Sequence, residues 1–328
     1  MFQAIYLTKA DQFRAEVREL SDTELETNTP DADTGVAVEY STINYKDGLA
    51  LTNKSPVVRK WPMVPGIDCA GRVVSTGSST LSRGDAVVLN GWGAGEAFWG
   101  GLAQRGRYKA DHLVRIPAPL TTRDAMSIGT AGYTAMLAAM ALRDHGVNDG
   151  EILVTGASGG VGSFATVILA RSGYRVVAST GKVEQADYLR RLGAIDVIDR
   201  AELSAPGKPL QKERWAGVVD SVGSHTLANA CAQLRTGGVA IACGLAQGMD
   251  FPATVAPFIL RGASLVGVDS VMCPRERRID SWRRLAEELD RSTLDDIASE
   301  IGLAEAFEAS RAIMAGEVRG RVLVNVNR

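Results

Sequence analysis

The amino-acid sequence predicts two kinds of fold in one chain, a mainly antiparallel β part followed by an α/β part with a parallel sheet. The 328 residues are about twice the roughly 150 of a typical domain. Up to Pro119, short apolar or alternating runs are broken by Gly, Pro, Asn and Asp, as in antiparallel strands. From Glu151 onward, apolar strands alternate with helical stretches, which is typical of a parallel sheet covered on both faces.

The elements of the first part are short. After Pro119, Thr122 is placed to cap a helical stretch, and Tyr133–Arg143 is rich in Ala, Met and Leu before Gly146 stops it. Runs bounded by turn residues predict strands at Val36–Tyr40, Gly71–Ser75, Asp85–Asn90 and His112–Ile116.

The α/β part shows a regular succession of elements. Its predicted strands are Glu151–Thr155, Arg175–Thr180, Asp196–Asp199, Gly217–Val222, Val239–Cys243 and Ser264–Val268. The predicted helices between them are Val161–Ser172, Glu184–Leu192 and Leu227–Leu234. The tail is expected to hold helical stretches at Ile279–Arg291 and Leu303–Ala315 and a closing strand at Arg321–Asn327.

Composition and charge narrow the classes of protein. Lys and Arg total 36 and Asp and Glu 38, for a net charge of −2, so we expect no nucleic-acid partner. The four cysteines form no CxxC pair, which favours reduced thiols in a cytosolic protein. Charge appears too early in Met1–Asp11 for a signal peptide, and no apolar run approaches about 18 residues. We therefore expect a cytoplasmic protein without a membrane segment.

A glycine-rich loop separates the first strand of the α/β part from its first helix. It has the sequence Thr-Gly-Ala-Ser-Gly-Gly-Val-Gly over residues 155–162. Glycines let backbone N–H groups approach a pyrophosphate, and the helix N-terminus adds positive potential. Strand, glycine turn and helix follow in the order that a dinucleotide site requires, although an ordinary βα turn is the alternative. The predicted contacts are Ser158, Gly159, Gly160 and Val161.

The end of the second strand indicates which coenzyme binds. NAD enzymes place an acidic residue about 20 residues after the glycines, whereas position 182 here is lysine. Thr180, Gly181 and Lys182 suit a 2′-phosphate, and Arg200 after the third strand is positioned to supply a second cation. The alternative for Lys182 is a solvated loop lysine. We predict NADPH as the cofactor.

Segments along the whole chain carry a family resemblance. They are Asn-Tyr-Lys-Asp at 44–47, Pro-Gly-Ile-Asp at 65–68, Gly-Trp-Gly at 91–93, Trp-Gly-Gly-Leu at 99–102, Gly-Thr-Ala-Gly at 129–132, Trp-Ala-Gly at 215–217, Ala-Cys-Gly-Leu-Ala at 242–246, Pro-Phe-Ile-Leu-Arg at 257–261 and Gly-Val-Asp-Ser-Val-Met at 267–272. With the glycine loop, they resemble the zinc-independent YhdH/YhfP branch of the medium-chain dehydrogenase/reductase superfamily. The resemblance implies a GroES-like, mainly β catalytic domain at 1–121 and 271–328 and a Rossmann domain at 122–270.

The resemblance implies the reaction as well. Zinc-binding relatives carry Gly-His-Glu where this chain has Gly66-Ile67-Asp68, and isoleucine cannot bind a metal, so no metal is expected. The branch contains acryloyl-CoA reductases once labelled quinone oxidoreductases, which implies NADPH-dependent reduction of the C=C bond of a short 2-enoyl-CoA. An NADPH:quinone oxidoreductase and a non-catalytic NADPH-binding protein are the alternatives.

Several site residues follow from this reading. Tyr45 is the candidate catalytic hydroxyl, as a hydrogen-bond donor with an ordinary pKa of about 10, and the alternative is a buried structural tyrosine. The resemblance adds Tyr45 itself, Thr130, Leu245 and Arg319 as cofactor contacts, with Gly320 and Arg321 next to Arg319 on the nicotinamide or pyrophosphate side. Asp47 and Asp68 are read as turn or capping residues.

The acyl-CoA pocket and the oligomeric state are the remaining expectations. Trp92 and Trp99 either wall the pocket or belong to the core. Arginines at 275, 277, 278, 283 and 284 could hold CoA phosphates, Arg275 foremost, or form a solvated helix start. By resemblance we expect a homo-oligomer, with Val239–Cys243 and Ser264–Val268 as candidate edge strands.

Overall fold

The computed structural model describes residues 1–328, which divide into two compact units. Unit 1 contains Met1–Thr130, Ser270–Ala286 and Asp290–Arg328, and unit 2 contains Ala131–Asp269 and Glu287–Leu289. These units are defined by contacts within the structure. The boundaries of the functional domains, expected near residues 121 and 270, stay a prediction.

The strands belong to three sheets. A two-stranded sheet pairs β1 with β2, and larger sheets contain seven and six strands. In chain order the strands are β1 (Phe2–Lys9), β2 (Phe13–Leu20), β3 (Thr34–Ile43), β4 (Asp68–Thr76), β5 (Ala86–Asn90), β6 (Arg105–Tyr108), β7 (Leu113–Arg115), β8 (Glu151–Thr155), β9 (Arg175–Thr180), β10 (Asp196–Asp199), β11 (Trp215–Asp220), β12 (Leu234–Ala242), β13 (Ser264–Gly267), β14 (Ala298–Gly302) and β15 (Arg321–Asn325).

The helices connect and cover these sheets. They are α1 (Asp22–Asn28), α2 (Tyr45–Thr52), α3 (Thr122–Asp144), α4 (Gly160–Arg171), α5 (Ala186–Arg191), α6 (Ala201–Ser204), α7 (Ser224–Ala232), α8 (Ala256–Arg261), α9 (Arg275–Glu288), α10 (Leu294–Ile297) and α11 (Ala306–Met314).

Unit 1 is the predicted β part, closed by the C-terminal tail. Its seven-stranded sheet runs β14-β15-β3-β4-β5-β7, with β6 also paired to β3. All its pairings are antiparallel except that of β14 with β15. The returning tail therefore supplies two strands of the sheet that holds Asp68 and Asn90 at paired positions of β4 and β5.

Tyr45 begins helix α2, within the part of the chain that the sequence predicts to be mainly β. Asn44 and Asp47 form a reciprocal capping box, in which the Asp47 carboxylate accepts the Asn44 backbone N–H at 2.8 Å. Such a box satisfies helix N–H groups that would otherwise lack partners, so Asn-Tyr-Lys-Asp starts a helix.

Unit 2 has the predicted doubly wound architecture. Its six strands are all parallel, in the order β10-β9-β8-β11-β12-β13. The chain order reverses between β8 and β11, and ligands of such sheets bind at the carboxyl ends of the strands beside that reversal. Because β12 lies inside the sheet, the expectation that Val239–Cys243 forms an edge is wrong, and β13 alone of the two is an edge strand.

The prediction that no apolar segment is long enough to cross a membrane is wrong for helix α3. Its 23 residues are long and apolar enough to cross a membrane. However, 94% of its most apolar window is buried inside the structure, so α3 is a core helix.

Candidate functional site

The glycine loop of unit 2 has the geometry that a pyrophosphate needs. Gly156 has a φ of 59°, a conformation that glycine adopts without steric cost. A Cβ at Gly162 would collide with the carbonyl oxygen of Gly156, so α4 packs against the loop backbone. The N-cap residue of α4 is Gly159, which has no side chain with which to cap the first turn of the helix. The N–H groups of that turn therefore remain suited to an anion.

The end of β9 lies beside this loop. The hydroxyls of Ser158 and Thr180 are 2.9 Å apart, and the Lys182 backbone N–H donates to the Thr180 hydroxyl at 3.0 Å. Arg200 follows β10, and its backbone N–H donates to the Thr180 carbonyl at 2.9 Å. A Cβ at Gly181 would be 2.5 Å from the Arg200 Nε, so the guanidinium packs over this glycine. The structure thus brings Lys182 and Arg200 to one strand end.

A carboxylate that sequence analysis missed connects two strand ends at the chain reversal. Asp220 ends β11, and its carboxylate accepts the Thr155 hydroxyl at 2.6 Å and the Gly223 N–H at 2.7 Å. Burial raises the pKa of Asp220, while these hydrogen bonds oppose that shift. Leu245 lies in the loop after β12, more than half exposed, and a Cβ at Gly223 would be 3.3 Å from its Cα. Asp220 fixes the Val222–Gly223 turn against which the Leu245 loop packs.

In unit 1, Tyr45 is 54% exposed at the first turn of α2, so it is not the buried structural tyrosine of the alternative reading. Its neighbours hold the helix start in place. The Lys46 Nζ forms an ion pair with Glu96 at 2.9 Å, and buried Asp47 accepts the Ile67 backbone N–H at 2.9 Å. Burial raises the pKa of Asp47 to about 7, and nearby Asp68 adds to the shift. The capping role predicted for Asp47 is confirmed.

Asp68 is the centre of a buried polar network rather than a turn residue. It is fully buried at the start of β4. One carboxylate oxygen accepts the Asn90 amide at 2.8 Å and the Thr130 hydroxyl at 2.5 Å. The other accepts the Asn44 amide at 2.8 Å, the Thr130 N–H at 2.8 Å and the Thr42 hydroxyl at 3.1 Å. Asp68 therefore joins the start of α2 to Thr130.

Arg321 is the cation of this network. Its guanidinium donates to Asn44 Oδ1 at 2.8 Å and to the Thr42 hydroxyl at 2.9 Å, and lies 3.7 Å from the Asp68 carboxylate. Arg319, the other arginine that the resemblance offered, is exposed two positions earlier. Gly129 makes room for Arg321, because a Cβ there would collide with a guanidinium nitrogen.

The two candidate pocket tryptophans differ. Trp99 is 4% exposed, donates its ring N–H to the Pro62 carbonyl at 3.0 Å and packs edge-on against Tyr6. Trp99 therefore belongs to the core, as in the second interpretation offered for it, and not to the wall of an exposed pocket. Trp92 is half-buried and stacks on His112, with the ring centroids 4.9 Å apart. The Arg278 guanidinium lies 4.5 Å from the Trp92 ring centroid.

Comparison with known proteins decides the family. Residues 30–180 match the model for the alcohol dehydrogenase GroES-like domain, and residues 160–291 match the model for zinc-binding dehydrogenases. The chain is 48% identical over 333 residues to the acrylyl-CoA reductase AcuI of Ruegeria pomeroyi, which covers 100% of both proteins. The chain belongs to the medium-chain dehydrogenase/reductase family. The resemblance inferred from the sequence, including the YhdH/YhfP branch, is confirmed.

Solved structures of medium-chain dehydrogenase/reductase proteins agree. The crystal structure of Escherichia coli K-12 YhdH with bound NADPH matches with a TM-score of 0.95 and 48% identity, covering 99% of this chain and 100% of that one. Bacillus subtilis yhfP with NAD bound matches with a TM-score of 0.93 and 40% identity, covering 99% of each chain. These matches confirm the predicted GroES-like and Rossmann fold class.

The donor atoms of this medium-chain dehydrogenase/reductase do not fit zinc, although one matching model is named for it. Ile67 offers no ligand atom, and five hydrogen bonds already occupy the two Asp68 oxygens. Cys69 is buried, its thiol donates to the Tyr108 hydroxyl at 3.4 Å, and burial raises its pKa to about 12. Nowhere do three His, Cys, Asp or Glu residues lie close enough together to hold a metal ion.

Three arginines of helix α9 bind other groups of the protein. Buried Arg278 donates to the carbonyls of Asn90 at 2.6 Å and Val271 at 3.0 Å, so it fits neither the phosphate-binding interpretation nor the solvated helix start. Arg283 and Arg284 form ion pairs with Asp280 at 2.6 and 2.9 Å. These two follow the solvated-helix reading, and the role of Arg275 stays a prediction.

Proposed function

We propose that this protein is an NADPH-dependent acryloyl-CoA reductase, which converts acryloyl-CoA and a proton to propanoyl-CoA while NADPH becomes NADP⁺. The observation that carries this proposal is the 48% identity, over its entire length, to a protein named acrylyl-CoA reductase. The NADPH bound in the YhdH structure, at 48% identity, supports the coenzyme. The thioester reaction needs a hydride at the β-carbon, a proton at the α-carbon and stabilisation of the enolate oxygen.

The residues of unit 2 would hold the coenzyme, which supplies a hydride when bound. Gly159, Gly160 and Val161 would direct backbone N–H groups to the pyrophosphate, with Ser158 beside them. Lys182 and Arg200 would neutralise the 2′-phosphate, and no carboxylate occupies position 182 to repel it. Gly181 would let that phosphate approach the end of β9, because a larger residue would displace Arg200.

In unit 1, Tyr45 is the proposed hydroxyl donor to the thioester oxygen, and Thr130 and Arg319 stay proposed coenzyme contacts. The Asn44–Asp47 capping box and the Lys46–Glu96 ion pair restrict the position of the Tyr45 backbone. A donor that is already positioned stabilises the developing enolate charge without a further reorganisation cost.

A substrate panel tests the proposal. Steady-state rates of NADPH oxidation are measured with acryloyl-CoA, crotonyl-CoA and a benzoquinone, and repeated with NADH. We expect the highest kcat/KM with acryloyl-CoA and NADPH. Turnover of the quinone without turnover of either thioester would replace the proposal with a quinone oxidoreductase, and binding of NADPH without any turnover would leave a non-catalytic protein. In Tyr45→Phe, a lower kcat with unchanged NADPH affinity would support the catalytic role, and a lower NADPH affinity with unchanged kcat would leave Tyr45 as a coenzyme contact only.

We further infer that the protein self-associates through β13 and works in a reducing compartment such as the cytoplasm. Leu265 of this edge strand is exposed, and so are Val255, Ile259 and Leu260 in the segment of helix α8 that precedes the strand. An apolar edge strand exposes unpaired backbone groups and favours pairing with another chain. Leu265→Lys is expected to reduce the oligomer in sedimentation equilibrium, and an unchanged mass would contradict this interface. The four cysteines are all free thiols, which agrees with a reducing compartment.

A further inference from the structure

A cavity of about 310 Å³ lies in unit 1, beside the loop that follows Trp92. Ala97 and Phe98 of this loop line it, together with residues 28–32, Lys60, residues 107–109 and His112. Small-molecule sites have volumes from about 300 Å³ upward, so the cavity suits a ligand fragment the size of a nucleotide.

The lining of the cavity is cationic. Lys60, Arg107 and Lys109 line the cavity with positive charge and Asp31 with one carboxylate, and Glu26 pairs with Arg107, which leaves the two lysines as the excess charge. The Arg107 guanidinium is held by the Ala32 carbonyl at 2.9 Å and by Glu26 at 3.2 Å, while its buried Nε has no hydrogen-bond partner. The two lysines are exposed and can reorient. This combination favours a phosphorylated ligand.

Two flat rings complete the lining. Phe98 and His112 have ring centroids 5.7 Å apart, and the stacking of His112 on Trp92, at an interplanar angle of 6°, fixes its orientation. Burial lowers the pKa of His112, which favours the neutral form of the imidazole. An imidazole ring next to a phenyl ring suits stacking with a heteroaromatic base.

The loop that lines the cavity also contacts the start of α2, where Tyr45 lies. Glu96 precedes the cavity residues Ala97 and Phe98, and it forms the ion pair with Lys46, the neighbour of Tyr45. A substrate whose reactive end meets Tyr45 could therefore reach the cavity with a flexible arm. Acryloyl-CoA has such an arm, with a phosphorylated adenosine at its far end.

We propose that this cavity binds the phosphorylated adenosine end of the CoA thioester. The proposal rests on the proposed function and names the part of unit 1 that recognises the substrate. It also assigns to Lys60 and Lys109 the phosphate contacts that the sequence suggested for the arginines of α9, of which Arg278, Arg283 and Arg284 have partners within the protein.

Kinetics with a full and a truncated substrate test the site. In Lys60→Ala/Lys109→Ala, the KM for acryloyl-CoA should rise about tenfold, as expected for two partly solvated phosphate contacts. The kcat, the KM for NADPH and the KM for acryloyl-pantetheine, which lacks the nucleotide, should stay unchanged. Lys60→Arg/Lys109→Arg should restore the KM. Lys208→Ala/Lys212→Ala removes the same charge from exposed positions in unit 2 and should have no effect.

Equilibrium binding separates this proposal from the proposed function. Titration calorimetry with CoA and with adenosine 3′,5′-bisphosphate should show binding to the wild type that is about tenfold weaker in Lys60→Ala/Lys109→Ala, whether or not acryloyl-CoA is reduced. Inorganic phosphate and AMP serve as probes for a general phosphate or nucleotide site. Equal CoA affinity in the two proteins, or an equal loss for acryloyl-pantetheine, would overturn the proposal. Tighter binding of AMP than of CoA would assign the cavity to free nucleotides and also overturn it.

Discussion

The carboxylate of Asp68 accepts two hydrogen bonds from Thr130, one from the backbone N–H at 2.8 Å and one from the hydroxyl at 2.5 Å. Thr130 directly follows Gly129, where helix α3 is interrupted by a φ of 52°. The same carboxylate also accepts the amide of Asn44, which caps α2 in front of Tyr45. One buried group thus positions two residues that we propose to act on coenzyme and substrate.

Asp68→Asn should therefore lower both stability and turnover. An amide offers one acceptor oxygen in place of two, and its NH₂ group would face N–H and O–H donors. We expect a loss of about 3 kcal/mol in the free energy of unfolding, as for other buried pairs that lose one partner. Urea denaturation measures it. Asp295→Asn, at an exposed ion pair with Arg123, should cost less than about 1 kcal/mol, and equal costs would contradict the role of Asp68.

Gly129→Ala tests the space that Arg321 occupies. A methyl group there would collide with the guanidinium, in addition to the cost of a positive φ. Gly146→Ala is the matched control, since Gly146 has a φ of 77° and a Cβ there would meet no other atom within 4 Å. We expect the control to cost about 1–2 kcal/mol and Gly129→Ala to cost roughly twice as much. Similar thermal unfolding of the two variants would show that Arg321 can move away freely.

Lys182→Ala and Arg200→Ala test the choice of coenzyme. Each should weaken NADPH binding about tenfold by removing a charge from the 2′-phosphate, with little effect on NADH. Fluorescence titration of both coenzymes measures the change, and Lys208→Ala is the control for a surface charge. An equal loss of affinity for both coenzymes would place the cations elsewhere. Because yhfP was crystallised with NAD, the comparison with NADH is required for this branch.

Asp47 predicts a pH dependence of stability. Burial raises its pKa from 3.8 to about 7 in the folded protein, so the unfolded chain releases this proton at lower pH. The stabilisation that this proton gives the folded protein is fully present below about pH 4 and is lost as the pH rises to about 7. The free energy of unfolding should fall by up to ~1.4 kcal/mol per pH unit in this range. Urea unfolding from about pH 5 to about pH 8 should show the wild type losing stability relative to Asp47→Asn. Parallel curves would mean that Asp47 does not titrate in this range.

The sequence predicted the α/β unit well because its signals are local. Strands β8, β9 and β10 were predicted with the boundaries found in the structure, since each is a short apolar run between turn residues. In unit 1, β1 and β2 were missed. Strand β2 alternates charged and apolar residues and is mostly exposed, so it lacks the apolar run of a buried strand.

The buried network of unit 1 could not be read from local patterns. Asp68, Thr130 and Arg321 lie 62 and 191 positions apart along the sequence and meet only when β15 returns to β3. A buried carboxylate cannot be recognised from its own neighbours, because turn and capping aspartates look the same. The sequence signal that could have shown the burial of Arg321 is its position at the start of a predicted apolar strand, where an arginine needs a partner.

Transfer of a label from the coenzyme tests the central claim most directly. The protein is incubated with acryloyl-CoA and NADPH that carries deuterium at the transferable position, and the product is analysed by mass spectrometry. The account predicts propanoyl-CoA with one deuterium at the β-carbon and none at the α-carbon, and the reverse pattern with unlabelled NADPH in heavy water. Unchanged acryloyl-CoA, or product labelled only from the solvent, would contradict it.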